Sequence, residues 1–272
     1  MSLLTLADVE AGWHQKLIFW SGGLSALGGS PSQTIGVWNN KSLPPAGNLS
    51  IGNTANGLVP TDATLGAPAI GSFSGTGALI GADFASQNML TVALYDRLFH
   101  AGSYSASGGL VTLSAQPSYV SRVPGGSYTG LQLFYEMAVA GTSNFTLTVT
   151  YTNQDGVTGR TTGAFAVTKY TAAVVFELPL QTGDTGIQKI ESVNATGGDT
   201  GFFNIVVARP LWRSATDLGA AGAVATPWTS RTYGIDQVGM PQVYSDSCLW
   251  MTATYLGGLS PGIDAVFEIV SN

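Results

Sequence analysis

The sequence predicts an all-β protein: an antiparallel β-sandwich or jelly roll with an N-terminal helix and a long extended arm. Three observations predict it. From about residue 88, short runs rich in Val, Ile, Thr, Phe and Tyr recur between turns bearing Gly, Asp and Asn. One of them, Phe145-Thr146-Leu147-Thr148-Val149-Thr150-Tyr151, alternates apolar residues with Thr, as a strand with one buried and one wet face does. The clearest helical spacing lies at the start, where Leu6, Val9, Trp13, Leu17 and Trp20 step by three or four.

In chain order, residues 1–20 read as a helix capped by Thr5 or Asp8. Residues 21–85 are rich in Gly, Ser, Pro, Asn and Ala. They still carry widely spaced apolar residues, among them Trp38, Leu49, Ile70, Phe73 and Ile80. That pattern suits an extended segment ordered by contacts better than a free linker. Strands are expected at 89–95, 110–113, 131–139, 145–151, 160–167, 173–178, 187–193 and 202–208. Asp155-Gly156 makes a hairpin of the pair around it, and Gly183-Asp184-Thr185-Gly186 and 197–201 supply further turns. Residues 211–245 return to loop-like sequence, and strands are expected again at 249–256 and 265–270. Three regions follow: 1–85, helix and interaction arm; 86–210, β-sandwich; 211–272, loop and strands that return to the sandwich or reach a neighbour.

Composition narrows the function classes. The chain has 272 residues, ten Lys and Arg against sixteen Asp and Glu, and a formal charge of −6. Only 10% of residues are charged, against roughly 25% in ordinary soluble domains. Scattered, outnumbered cations argue against a nucleic-acid binder. An apolar share of 44% argues against disorder. No run of 18 apolar residues marks a membrane helix, and no secretory leader is visible. A surface so poor in charge is expected to face other protein.

Motifs for chemistry are sparse. Single Cys248 allows neither an intrachain disulfide nor a Cys-based zinc site, and it reads as a buried small hydrophobe. His14 and His100 lack companions at metal-ligand spacing. No Gly-x-Ser-x-Gly, Walker or dinucleotide frame occurs; Ser72 and Ser74 lie in a Gly-rich loop without it. Asp155, Asp184 and Asp199 have a turn role at hand. Glu136 and Glu177 stand inside strands and read as edge or outward residues rather than a glycosidase pair. No cofactor, metal or catalytic residue is expected, and the chain reads as non-enzymatic. Trp38, Trp212, Trp228, Tyr233 and Tyr244 lie in loop-like sequence, where aromatic groups serve contacts or, alternatively, stack on sugars.

Three segments carry a family resemblance: Leu94-Tyr95-Asp96-Arg97-Leu98-Phe99-His100, then 151–161 from Tyr151-Thr152-Asn153 through Arg160-Thr161, then 180–188 from Leu180-Gln181-Thr182 to Gln188. With them, residues 86–210 resemble a recurrent family of tailed-bacteriophage virion proteins. The resemblance implies a capsid decoration or cement protein on the virion surface, made in the host cytoplasm. Its partners would be the major capsid protein and copies of itself, with a trimer as the expected homo-oligomer. The alternatives are a tail or head–tail subunit, or a carbohydrate-binding β-sandwich for host attachment. The partner-binding anchors expected from the residues themselves are Leu6, Trp13, Leu17 and Trp20 in the N-terminal arm, and Trp212 and Trp228 later.

Overall fold

The computed structural model describes residues 5–21, 33–39, 43–49, 53–86, 90–168, 171–198, 200–214, 229–255 and 263–271. Along the chain these form helix α1 (Leu6–Ala11) and strands β1 (Trp13–Ser21), β2 (Thr34–Gly36), β3 (Thr76–Ser86), β4 (Leu90–Ser105) and β5 (Gly109–Thr112). Next come β6 (Gln132–Val139), β7 (Phe145–Asn153), β8 (Arg160–Thr161), β9 (Phe165–Val167), β10 (Val175–Glu177), β11 (Ile187–Thr196) and β12 (Phe202–Arg213). The chain ends with β13 (Thr229–Tyr233), α2 (Ile235–Val238), β14 (Gln242–Tyr244), β15 (Leu249–Tyr255) and β16 (Ile263–Ser271). The named ladders are antiparallel, so the all-β expectation stands.

The chain divides into two compact units. Unit 1 takes Met1–Gly47, Thr61–Asp96 and Leu211–Asn272; unit 2 takes Asn48–Pro60 and Arg97–Pro210. The first and last regions read from composition therefore fold together.

In unit 1, β16 lies between β1 and β3, with Trp13 opposite Ser271 and Leu17 opposite Phe267. The C-terminal strands thus return to their own chain. The beginning departs from the expected helix. Thr5 does cap α1, its hydroxyl accepting from Asp8 N–H while the Asp8 carboxylate accepts from Thr5 N–H. That bond holds the Asp8 carboxyl below its usual range. The helix stops at Gly12, where a Cβ would lie 2.5 Å from Val270. Residues 13–21 are strand, because Leu17 and Phe19 both point into the unit 1 core, two residues apart. The three-and-four spacing of the apolar residues coincides here with a period of two.

Within the expected arm, residues 53–75 are irregular while 76–86 form β3. β3 carries Ala78 and Ile80 toward Val9 of α1 and Leu79, Ala82 and Phe84 into the main core of unit 1. Both faces are covered over residues 77–80, where burial is continuous, while from Ile80 to Ser86 buried and less buried positions alternate. Ile70 is fully buried in the same core.

Unit 2 contains two sets of paired strands. β6 pairs with β10 on one side and β12 on the other, while β11 pairs with β5 and β7. Along β7, Phe145, Leu147, Val149 and Tyr151 are buried and the intervening Thr residues are half-buried. The strand expected at 160–167 is two short ones, parted at Gly163 with φ +70°.

Candidate functional site

Among its described residues, unit 2 carries an enclosed charged cluster and another at a rim. The enclosed cluster grows from Arg97 on β4, Glu136 on β6 and Asn204 on β12, all fully buried. Arg97 Nη2 donates to Glu136 Oε2 at 2.5 Å and Nη1 reaches Oε1 at 3.5 Å. The same Nη2 lies 2.7 Å from His100 Nδ1. A guanidinium only donates, so Nδ1 accepts and the buried His100 carries its proton on Nε2. Asn204 Nδ2 donates to Glu136 Oε2 at 3.2 Å and to Leu49 O at 2.6 Å. A Cβ at Gly102 would collide with Asn204 Oδ1.

This cluster fixes a strap. Residues 53–60 turn on Asn53, whose Oδ1 accepts from Ala55 and Asn56 N–H. Leu58 and His100 exchange both backbone hydrogen bonds at 2.8 and 2.9 Å. Gly57, at φ +67°, passes so close to Phe99 that a Cβ would overlap the ring. Arg122 ties down the end, donating to Pro60 O at 2.5 Å and to Arg97 O at 2.6 Å. Tyr104 OH donates to Thr54 O, and burial pushes its pKa well above the ordinary tyrosine range.

The rim cluster joins two of the three resemblance segments. Asp184 accepts from Arg160 Nε at 2.9 Å, Asn153 Nδ2 at 2.8 Å and Tyr151 OH at 2.7 Å. The Arg160 hydrogen bond is the largest reason that the Asp184 carboxyl falls to a pKa of about 2. Burial, then the bond to Asp184, pushes the Tyr151 phenol up to about 12. Tyr151 OH also accepts from Gln181 N–H, so the 181–185 turn is anchored at two points. The turn in the preceding hairpin belongs to Asn153, not Asp155: Asn153 Oδ1 accepts from Asp155 and Val157 N–H.

Beside the rim cluster opens a cleft of about 580 Å³. It is lined by Gly130, Leu131, Gln132 and residues 177–185, of which Leu131 and Leu178 are buried. Thr129 and Gly186 bridge at its end, so close that a Cβ on Gly186 would strike Tyr128 O.

The structure distributes the expected anchors unevenly. Leu6 and Trp13 stand exposed, at 63% and 54%. Leu17 and Trp212 are corrected: both lie in the unit 1 core, with the Trp212 ring 5.0 Å from Tyr233 and 5.9 Å from Phe267. Their area holds their own unit together. Trp20 contributes its backbone to β1, opposite Asp264, and its side chain lies outside the described residues, as does Trp228. Among the loop aromatics, Trp38 is 2% exposed, which removes it from any sugar-stacking face.

Glu136 is also corrected, being enclosed rather than outward; Glu177 is exposed as expected. Cys248 is buried, its N–H donating to Asp96 Oδ1. Asp199 lies outside the described residues. His14 sits 3.0 Å from Glu268 Oε1 through Nδ1 and 2.9 Å from Val9 O through Nε2. Both neighbours accept, so only the imidazolium donates to both. Among the described residues no group of three or more His, Cys, Asp or Glu is arranged to hold a metal, and no helix is long and apolar enough to cross a membrane.

Sequence reasoning missed Arg97, Arg122, Asn204 and Arg160 as cluster members. A signal was present: an Arg within Leu94-Tyr95-Asp96-Arg97-Leu98-Phe99 and a Glu within Phe134-Tyr135-Glu136-Met137 are charges inside apolar strands, and each demands a partner.

No family model and no curated protein matches this chain. Among solved structures it is similar to VP2 of infectious bursal disease virus. The VP2 subviral particle is 12% identical, with 100% of this chain and 83% of that chain covered and a TM-score of 0.19. The D431N mutant VP2 from T=1 particles is 12% identical, covering 95% and 78%, with a TM-score of 0.17. These neighbours are viral capsid proteins, and at such TM-scores the likeness carries no functional argument.

Proposed function

We propose that this chain is a non-enzymatic structural subunit of a virus particle, and specifically a decoration or cement protein of a tailed-phage head. The observation that carries the reading is the exposure of two large apolar side chains, Leu6 and Trp13, on securely placed backbone. Leu6 opens a helix closed by a reciprocal capping box, and Trp13 opens a strand paired to β16. Anchors already fixed in place cost little entropy to dock. The low charge of the chain and the resemblance of residues 86–210 to phage virion proteins support the same reading. The partner surface is then the beginning of unit 1, not a long unfolded arm.

The test uses the full chain and shells of the capsid protein that shares its particle. Leu6→Ser with Trp13→Ser should leave the thermal midpoint within a degree or two, because exposed substitutions rarely exceed about 0.5 kcal/mol. It should lower co-sedimentation with shells at least about tenfold, as loss of two hydrophobic anchors does. Undiminished co-sedimentation contradicts the assignment of these anchors. Incorporation into tails instead of heads contradicts the decoration role. Deleting residues 1–25 is a poor substitute, since it removes β1 from its ladder with β16.

A further inference from the structure

We infer that His14 is an acid-dependent clasp: as an imidazolium it ties helix α1 to β16, and on losing its proton it lets the helix loosen. The clasp is independent of the virion reading, since it is read on the free chain, although α1 is the element that presents Leu6.

α1 depends on its surroundings. It has six residues, too few for a helix to persist in water without tertiary contacts. Val9 is its one buried side chain, packed on Ala78 and Ile80 of β3 and Val270 of β16. The Thr5–Asp8 capping box closes its N-terminal end. Nothing of its own closes the other end: the last turn carries no basic residue, and Gly12 is extended rather than left-handed. Val9 O belongs to that last turn, where carbonyls have no donor from the helix itself.

His14 supplies a donor. Its Nε2 lies 2.9 Å from Val9 O and its Nδ1 3.0 Å from Glu268 Oε1. A carbonyl and a carboxylate only accept, so both contacts are hydrogen bonds when both ring nitrogens carry protons. Neutral imidazole has a single N–H. It keeps one bond and turns a lone pair toward the other oxygen. The helix dipole also favours a cation at this end.

The other ionisable side chains on the packed elements are Asp8 and Glu10 on α1, Lys16 on β1 and Asp236 on α2. β3 presents Ala78 and Gly81 opposite Val270 and Glu268, neither of which titrates, and Asp83 opposite Val266. Lys16 stands opposite Glu268 in the ladder, so the carboxylate has a second cation at hand once the ring is neutral. Among these side-chain types only histidine ordinarily changes charge between about pH 5 and pH 8. A base held by partners of its charged form contributes on the acid side, and the contribution is lost as pH rises.

The experiment follows amide exchange in the full chain by NMR from about pH 5 to about pH 8, as protection relative to intrinsic rates. Val9 N–H, which donates to Thr5 O at 3.0 Å, reports on α1, and the β1–β16 ladder amides are the internal comparison. Val9 protection should fall at least about threefold across that range, the scale of one hydrogen bond to a charged group, while the ladder holds. His14→Phe, at a side chain 40% exposed, should give the low value at every pH. Glu268→Gln should give a flat profile at the high value, because its amide donates to Nδ1 of a neutral ring that still donates from Nε2. The inference is overturned if Val9 protection in the parent chain does not change with pH, if either variant keeps the parent's slope, or if the ladder loosens in step with α1.

Discussion

Two arginine–carboxylate pairs in unit 2 use the same chemistry for opposite ends. Arg97–Glu136 has no solvent access on either side chain, whereas Arg160 of the Arg160–Asp184 pair remains 25% exposed. The first pair bonds Asn204, which also holds Leu49 O, and lies beside Arg122, which ties Arg97 O to Pro60 O at the end of the strap. The second sits where two turns meet and shapes the wall of a cleft. The difference teaches where the few charges of this chain go: one pair specifies how unit 2 closes, the other how it presents a surface. A buried pair is a poor source of net stability, yet breaking it is costly, so its value lies in fixing one arrangement.

The largest effect should come from breaking the enclosed pair. Arg97→Met leaves Glu136 buried without its cation and should destabilise by about 3–5 kcal/mol in urea unfolding. The double variant Arg97→Met with Glu136→Leu should recover a substantial part of that loss. If the single and double variants lose equally, the pair is not the organising contact.

Next comes Asp184→Ala, which strands Tyr151 OH and the Asn153 amide and should cost about 1–3 kcal/mol. It should also speed hydrogen exchange at Gln181 N–H, which Tyr151 OH accepts, while Leu58 N–H in the strap stays protected. Equal acceleration at both would erase the distinction between the clusters.

Smaller still are two pH effects, each confined to the rim. The Asp184 carboxyl titrates near 2 in the folded chain, below the value of about 3.9 expected unfolded. A depressed value means that its contribution is complete above about pH 4–5 and is lost as pH falls toward 2. Asp184→Asn should flatten the urea midpoint across that window. The Tyr151 phenol is raised to about 12, so its contribution is complete below about pH 10 and declines from there to 12. Tyr151→Phe should remove that alkaline slope and leave the acid one.

Legibility followed the physics of each element. β7 was readable because one face is buried and one is not, so Thr and apolar residues alternate in the letters themselves. β3 was not, because Ala78, Leu79 and Ile80 are buried on both faces in its first half and the alternation of its second half is written in small residues, Gly81, Ala82, Ala85 and Ser86. β1 misled because Leu6, Val9, Trp13 and Leu17 satisfy helical spacing while Leu17 and Phe19 satisfy strand spacing; only the pairing partner 250 residues away decides. The rim cluster was half legible: Asp184 was marked as a turn residue, but its bond to Arg160, 24 residues earlier, depends on two turns meeting. The enclosed cluster joins Arg97 to Glu136 over 39 residues and Asn204 to Leu49 over 155, distances at which a sequence pattern carries no pairing information.

In the proposed function this chain sits on the head of a virus particle and is seated there through Leu6 and Trp13. A cryo-EM map of the assembled particle tests it most directly. Density for unit 1 and unit 2 is expected on the outer face of the head, with Leu6 and Trp13 covered by a capsid subunit. A particle that lacks the chain, or one that carries it with both side chains facing solvent, would contradict it.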